Sequence, residues 1–140
     1  MLRDVTADDL PFIYNSWLKS FKSSPWAKSI PTSIYYANHK EVIAKILPKA
    51  IIMVACNPED QSQIFGYAVF TPGRIIALHY VYVKQPYRRL GIAQVLFEFA
   101  RASHMRTFPM IATHVTDVWS QVLRDKWSMI YNPYLLEVLK

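Results

Sequence analysis

The sequence predicts a mixed α+β domain, in which a mostly antiparallel sheet of six to seven strands is flanked by four helices. Three observations lead there. Short β-branched and aromatic runs separated by tight turns fill residues 51–83, the pattern of an antiparallel meander. Ahead of that block, and again after it, apolar residues recur every three or four positions, as they do on helices. The order strand, helix, strand across residues 75–115 then requires a right-handed parallel crossover, which makes the sheet mixed.

Residues 2–5 suit a short first strand. Thr6 with Asp9 three positions on resembles a capping box, and Leu10, Ile13, Tyr14, Trp17, Leu18 and Phe21 follow on one helical face, with Pro11 blurring where the helix begins. A polar stretch, residues 22–29, leads to Pro31. Ile34, Val42, Ile43, Ile46 and Leu47 form the face of a second helix that stops at Pro48. Strands follow at 51–55 and 64–70, parted by the turn Asn57-Pro58-Glu59-Asp60, and Thr71-Pro72-Gly73-Arg74 connects to a strand over 75–83. In that last strand, alternation puts His79, Val81 and Val83 on one side and Tyr80 and Tyr82 on the other. A helix from about 91 to 104, an apolar strand at 110–115 and a helix burying Val118, Trp119, Val122 and Leu123 come next. Residues 128–131 and 134–139, joined through Asn132-Pro133, read as a terminal hairpin.

At 140 residues, 52% of them hydrophobic, the chain is one domain, 1–140, with enough apolar material for its own core. Cys56 is the lone cysteine and lies in an apolar run, so no internal disulfide forms and a small buried hydrophobe is expected there. The first nine residues carry acids where a signal segment is basic and apolar, and no stretch approaches the ~20 apolar residues of a membrane span. The expectation is a soluble cytoplasmic protein. The net charge of +6 includes Lys84, Arg88 and Arg89 around one turn, but there is no block of about five or six consecutive like charges, so nothing supports a nucleic-acid surface. His39, His79, His104 and His114 are scattered through the chain with no ligand spacing, so no metal is expected.

That turn, Val83-Lys84-Gln85-Pro86-Tyr87-Arg88-Arg89-Leu90-Gly91-Ile92-Ala93, joins a strand to a helix and is built to grip an anion. Its core, Arg88-Arg89-Leu90-Gly91-Ile92-Ala93, resembles the signature of the GNAT superfamily of acyl-CoA-dependent N-acetyltransferases: Arg or Gln, two residues, Gly, one residue, then Gly or Ala. Val83 and Tyr87 also stand where that family has them, with its proline displaced by one to Pro86. The opening Thr6-Ala7-Asp8-Asp9-Leu10-Pro11 is similar to the family's first-helix entry. The element order and the length of a small single-domain member, of bacterial or phage type, agree as well.

The resemblance implies the GNAT fold and transfer of an acetyl group from acetyl-CoA, as co-substrate, to a primary amine of a small molecule or protein. Arg88, Arg89, Leu90, Gly91, Ile92 and Ala93 would receive the diphosphate on backbone amides, where a glycine lets the ligand come close. Val81, Tyr82 and Val83 would complete the cofactor side, with the N–H of Val81 or a neighbour meeting the thioester oxygen. His79 stands four residues before the family valine, where the arylalkylamine branch carries a histidine, and is the candidate base. The family's Asn and Tyr in the following helix are missing from residues 116–124, which leaves Tyr131 or Ser120 to protonate the thiolate, or the thiolate to depart unaided. Trp119 and Trp127 suit a core better than a groove wall. The acceptor side, near Tyr35, Tyr36 and residues 22–29, leaves a small amine, an amino acid or a protein amino group open. The alternative is a binding module of the same fold, for protein or nucleic acid, with weak or no transfer. Either a monomer or a homodimer is expected.

Overall fold

A computed structural model describes residues 1–24, 27–72, 76–102, 111–114 and 130–132. Among them run β1 (Leu2–Asp4), α1 (Leu10–Phe21), α2 (Thr32–Ile46), β2 (Ile51–Asn57), β3 (Asp60–Thr71), β4 (Ala77–Val83), α3 (Ile92–Ala102), β5 (Ile111–Ala112) and β6 (Ile130–Tyr131). The strands form one mixed sheet in the order β1-β2-β3-β4-β5-β6. Strands β1 to β4 pair antiparallel, and β5 lies parallel to β4, as the crossover through α3 requires. The fold class read from the sequence therefore holds. The expected helix at 118–123, the segment 134–139, and Ser120, Trp119 and Trp127 lie outside the described residues.

Alternation along the strands gives the sheet two apolar faces, and a layer of helices covers each. Ile52, Val54, Tyr67, Val69 and Tyr80 pack with Ile13, Trp17, Phe21, Tyr35 and Ile43 of α1 and α2. On the other face Met53, Ala55, Ala68, Phe70 and Leu78 meet Leu96, Phe97 and Ala100 of α3. Cys56 is buried in the first of these clusters, as a small hydrophobe should be. The entry to α1 is fixed by Asp9, whose carboxylate accepts the Thr6 N–H and hydroxyl and pairs with Arg3 at 2.7 Å. Its hydrogen bonds to Arg3 hold the Asp9 carboxyl down at about 2.

Three expectations needed correction. The buried face of α2 is Tyr35, His39, Ile43 and Ile46, while Ile34 is exposed: Tyr35 enters the core because its hydroxyl donates to the Leu18 carbonyl. β3 begins at Asp60 instead of Ile64, since Asn57 pairs with Asp60 and the solvated residues 60–63 extend the hairpin without any apolar pattern. In β4, Val69 pairs with Tyr80 but Phe70 pairs with Leu78, so His79 is an extra, bulged residue. Val81 consequently shares the α3 side with Leu78 and lies opposite Tyr80 and Tyr82, as the alternation read from the sequence has it, and the pattern breaks only at His79.

Gly66 sits opposite Val83 where β3 and β4 approach closely, and a Cβ there would fall 2.4 Å from the Tyr82 carbonyl oxygen. Backbone cannot yield cheaply. Gly66→Ala is expected to cost about 2 kcal/mol, near the middle of the range for overpacking, read as a lowered denaturation midpoint. An unchanged midpoint would contradict this close approach.

Candidate functional site

The parallel pairing of β4 with β5 is brief. Ala77 and Leu78 pair with Ile111 and Ala112, and the last bond between them is Thr113 N–H to the Leu78 carbonyl at 3.0 Å. Beyond that point β4 keeps only β3 as a described neighbour. The amide of Lys84 donates to Phe65 at 2.8 Å, so counting back by twos turns Tyr82 and Tyr80 toward β3, and Val81 and Val83 toward the opposite edge, which no described strand pairs at those residues. Arg88 Nε confirms the orientation at Val83 by donating to its carbonyl at 2.8 Å. The bulge thus turns the Val81 N–H away from β3, to the side of β4 where no described residue pairs with it.

At the end of the same strand the chain turns through residues 84–91 into α3. Tyr87 anchors the turn, its ring 4.3 Å from Phe65 and its hydroxyl accepting from Gln63. Arg89 and Gly91 both adopt left-handed backbone, at φ 66° and 81°. The first helical bond is Val95 N–H to the Gly91 carbonyl. Among the described residues, the amides of residues 89–94 have no hydrogen-bond acceptor. Six donors stand at a helix start, with Leu90 and Gly91 exposed beside them, and carry the partial positive charge of the helix N-terminus. Nothing lies within 4 Å of a Cβ built on Gly91, so the glycine answers to its φ and not to the protein's own packing. Arg88 rests 6.0 Å over the Tyr82 ring, and Lys84 lies 4.8 Å from that of Phe12. Both cations therefore stand at the mouth between α1 and the end of β4.

His79 is placed differently from the loop. It is 1% exposed, its Nε2 lies 2.9 Å from Thr71 Oγ1, and its Nδ1 lies 2.9 Å from Thr113 Oγ1. Thr113 in turn contacts His114 Nδ1 at 2.9 Å, and His114 Nε2 meets His39 Nε2 at 3.0 Å. These groups form a buried file running from β3 to α2, walled by Trp17, Phe21 and Tyr80. Burial lowers all three histidines, His79 and His39 to about 4 and His114 well below its ordinary value, where its histidine neighbours lower it further. Both ring nitrogens of His79 are engaged, so a proton could reach it only through a threonine hydroxyl. Tyr131, in β6, pairs with Ala112 and is partly exposed. Hence the structure gathers Val81, Tyr82, Val83 and Arg88 to Ala93 in one corner, places His79 in the core behind them, and puts Tyr131 across β5.

Beside that corner, α1 and β4 enclose a groove of about 390 Å³ whose described lining is Phe12, Asn15, Ser16, Lys19, Ser20 and Tyr82. Sequence reasoning missed these α1 residues as site candidates. Their only signal was the polar side of an amphipathic helix, which any solvated helix shows. It missed His39 and His114 as partners of His79 for a plainer reason: His39 and His114 are separated by 75 positions.

No family model matches this chain, and no curated protein matches it. Solved structures do. A structure described as a "probable acetyltransferase" superposes with a TM-score of 0.62 at 17% identity, covering 90% of this chain and 87% of that one. The PaiA N-acetyltransferase of Thermoplasma acidophilum, in complex with coenzyme A, gives 0.51 at 15% identity over 74% of this chain and 70% of its own. An acetyltransferase of the GNAT family from Staphylococcus aureus gives 0.51 at 17% identity over 74% and 64%. The shared property at these identities is the fold.

Proposed function

The GNAT fold of this chain is the premise, and we propose that it carries out the transfer of an acetyl group from acetyl-CoA to a primary amine. The observation that supports this most directly is the run of amides at residues 89–94 that have no acceptor among the described residues, beside the β4 edge that no described strand pairs beyond Leu78. Such a run matches a diphosphate, and Arg88, Arg89 and Lys84 supply charge that salt should weaken. The thioester would then lie along the open edge, its carbonyl oxygen near the Val81 N–H.

The chemistry asks little of side chains. The amine lone pair attacks the thioester carbon, the developing oxyanion is met by the Val81 N–H, and collapse expels the thiolate as the C–S bond breaks. The extra proton on nitrogen leaves to water, and the thiolate, a good leaving group near neutral pH, takes one up or departs as the anion. His79 belongs in this scheme as a group that orders the strand beneath Val81 and exchanges protons only through Thr71 or Thr113. Tyr131 and Ser120 remain the proposed sources of an acid.

Calorimetric titration with acetyl-CoA tests the reading. Micromolar affinity that falls with added salt is expected, together with free thiol release when an amine is supplied. Absence of binding at millimolar acetyl-CoA, alongside tight and salt-dependent binding of nucleic acid, would establish the binding-module alternative in its place.

A further inference from the structure

The groove beside Tyr82 has a chemical character that selects among amines. Its walls are aromatic, with the Phe12 and Tyr82 rings 6.3 Å apart. The polar groups at its floor are already engaged: Ser16 Oγ lies 2.7 Å from the Tyr67 hydroxyl, and Ser20 Oγ lies 2.6 Å from that of Tyr80. Two polar side chains remain available to a ligand, Asn15 and Lys19, one helical turn apart on the exposed side of α1. No carboxylate occurs among the described lining residues. Arg3 with Asp9 is the ion pair of the described residues, so Lys19 has no carboxylate partner among them.

A polyamine, or a lysine within a basic peptide, brings a second cation. It would meet no counter-charge here and would face Lys19, with Lys84 at the mouth. An amine that carries its own carboxylate finds the reverse. Building on the acyltransferase reading, we propose that the acceptor is an α-aminocarboxylate with an apolar or aromatic side chain. Its carboxylate pairs with Lys19 beside Asn15, its side chain lies against the Phe12–Tyr82 pair, and its amino group points to the Val81 edge of β4. Lys19 is then the residue that determines specificity. It touches the acceptor away from the reacting nitrogen, so it acts mainly on KM.

Phenylalanine and phenethylamine share the body and the nucleophile and differ by the carboxylate, which makes them the diagnostic pair. Compared per unprotonated amine, phenylalanine is expected to be acetylated with a kcat/KM at least about tenfold higher, and Lys19→Glu to reverse the order mainly through KM. An independent readout is the amide spectrum of the protein by NMR. Phenylalanine should shift the Asn15 and Lys19 signals of the unmodified protein, and Lys19→Glu should abolish those shifts. Equal or better use of phenethylamine overturns this inference and leaves acetyl transfer standing. Failure of acetyl-CoA to bind overturns the acyltransferase reading, and the phenylalanine-induced shifts then decide alone whether the groove takes an aminocarboxylate.

Discussion

Gly91→Val is expected to weaken acetyl-CoA binding by about a hundredfold or more. The residue holds φ 81°, a conformation that costs an L-residue about 1–2 kcal/mol and a β-branched one more, so valine pulls the turn toward ordinary backbone. That change disperses the donors of residues 89–94, and losing even one or two charge-assisted hydrogen bonds of about 1.5–3 kcal/mol each accounts for the factor. Valine's branches would also stand where the ligand must come closest. Because nothing lies within 4 Å of the position, the free protein meets no clash, and its denaturation midpoint should drop only modestly. Arg88→Ala, by comparison, should cost about tenfold at low salt and less at high salt, since it removes charge without moving amides. Calorimetry on the two variants at two salt concentrations is the check. Equal losses for both, or unaltered affinity in Gly91→Val, would remove the loop from the binding site.

Stability should fall steeply as the pH drops from about 6.5 toward 4. An unfolded histidine titrates near 6.5, whereas His39 and His79 are held to about 4 and His114 well below its usual value, by burial. Above the unfolded value all three are neutral in both states and contribute no pH dependence. Below it the unfolded chain takes up protons that the folded chain refuses, so equilibrium moves toward unfolding until the folded values are reached. Each pH unit between the unfolded and folded values corresponds to about 1.4 kcal/mol, so each of the two histidines near 4 accounts for roughly 3 kcal/mol, comparable together with the whole stability of a typical domain. Tyr35, Tyr67 and Tyr80, packed around them, have hydroxyls pushed up by burial and stay neutral throughout this window. Asp9, at about 2, loses its contribution only at lower pH. Urea midpoints measured from pH 8 to pH 5 should therefore be level above 7 and decline below 6.5, and His39→Phe should flatten the decline. Level midpoints down to pH 5 would mean that the histidines are not sealed as described.

Most of the fold was legible because hydrophobic patterning reports burial. The meander of β2, β3 and β4, the α1 face with Ile13, Trp17 and Phe21, and the turn from β4 into α3 all follow from local spacing. What stayed hidden was set by partners distant in sequence. Tyr35 displaces Ile34 from the core on account of a carbonyl seventeen residues away. The bulge at His79 leaves no mark in a run of alternating valine and tyrosine, so His79 could not be told from a regular member of the strand. Of the candidate site, the loop was marked by a local motif, and the structure places it between β4 and α3 with Gly91 at positive φ. The groove residues Phe12, Asn15 and Lys19 are ordinary members of an amphipathic helix until β4 is laid against them.

The file of Thr71, His79, Thr113, His114 and His39 obeys a rule familiar from ice. Each neutral imidazole has one hydrogen to give and one lone pair to offer, and a buried Thr113 that accepted from both rings would leave its own hydrogen stranded. Only two arrangements satisfy every link: all hydrogens directed from β3 toward α2, or all directed back. Three rings far apart in the chain thus share a single binary choice, and determining the tautomer of one by nitrogen chemical shift fixes the other two. Thr113→Val would cut the sequence of links and set His79 and His114 free to choose separately.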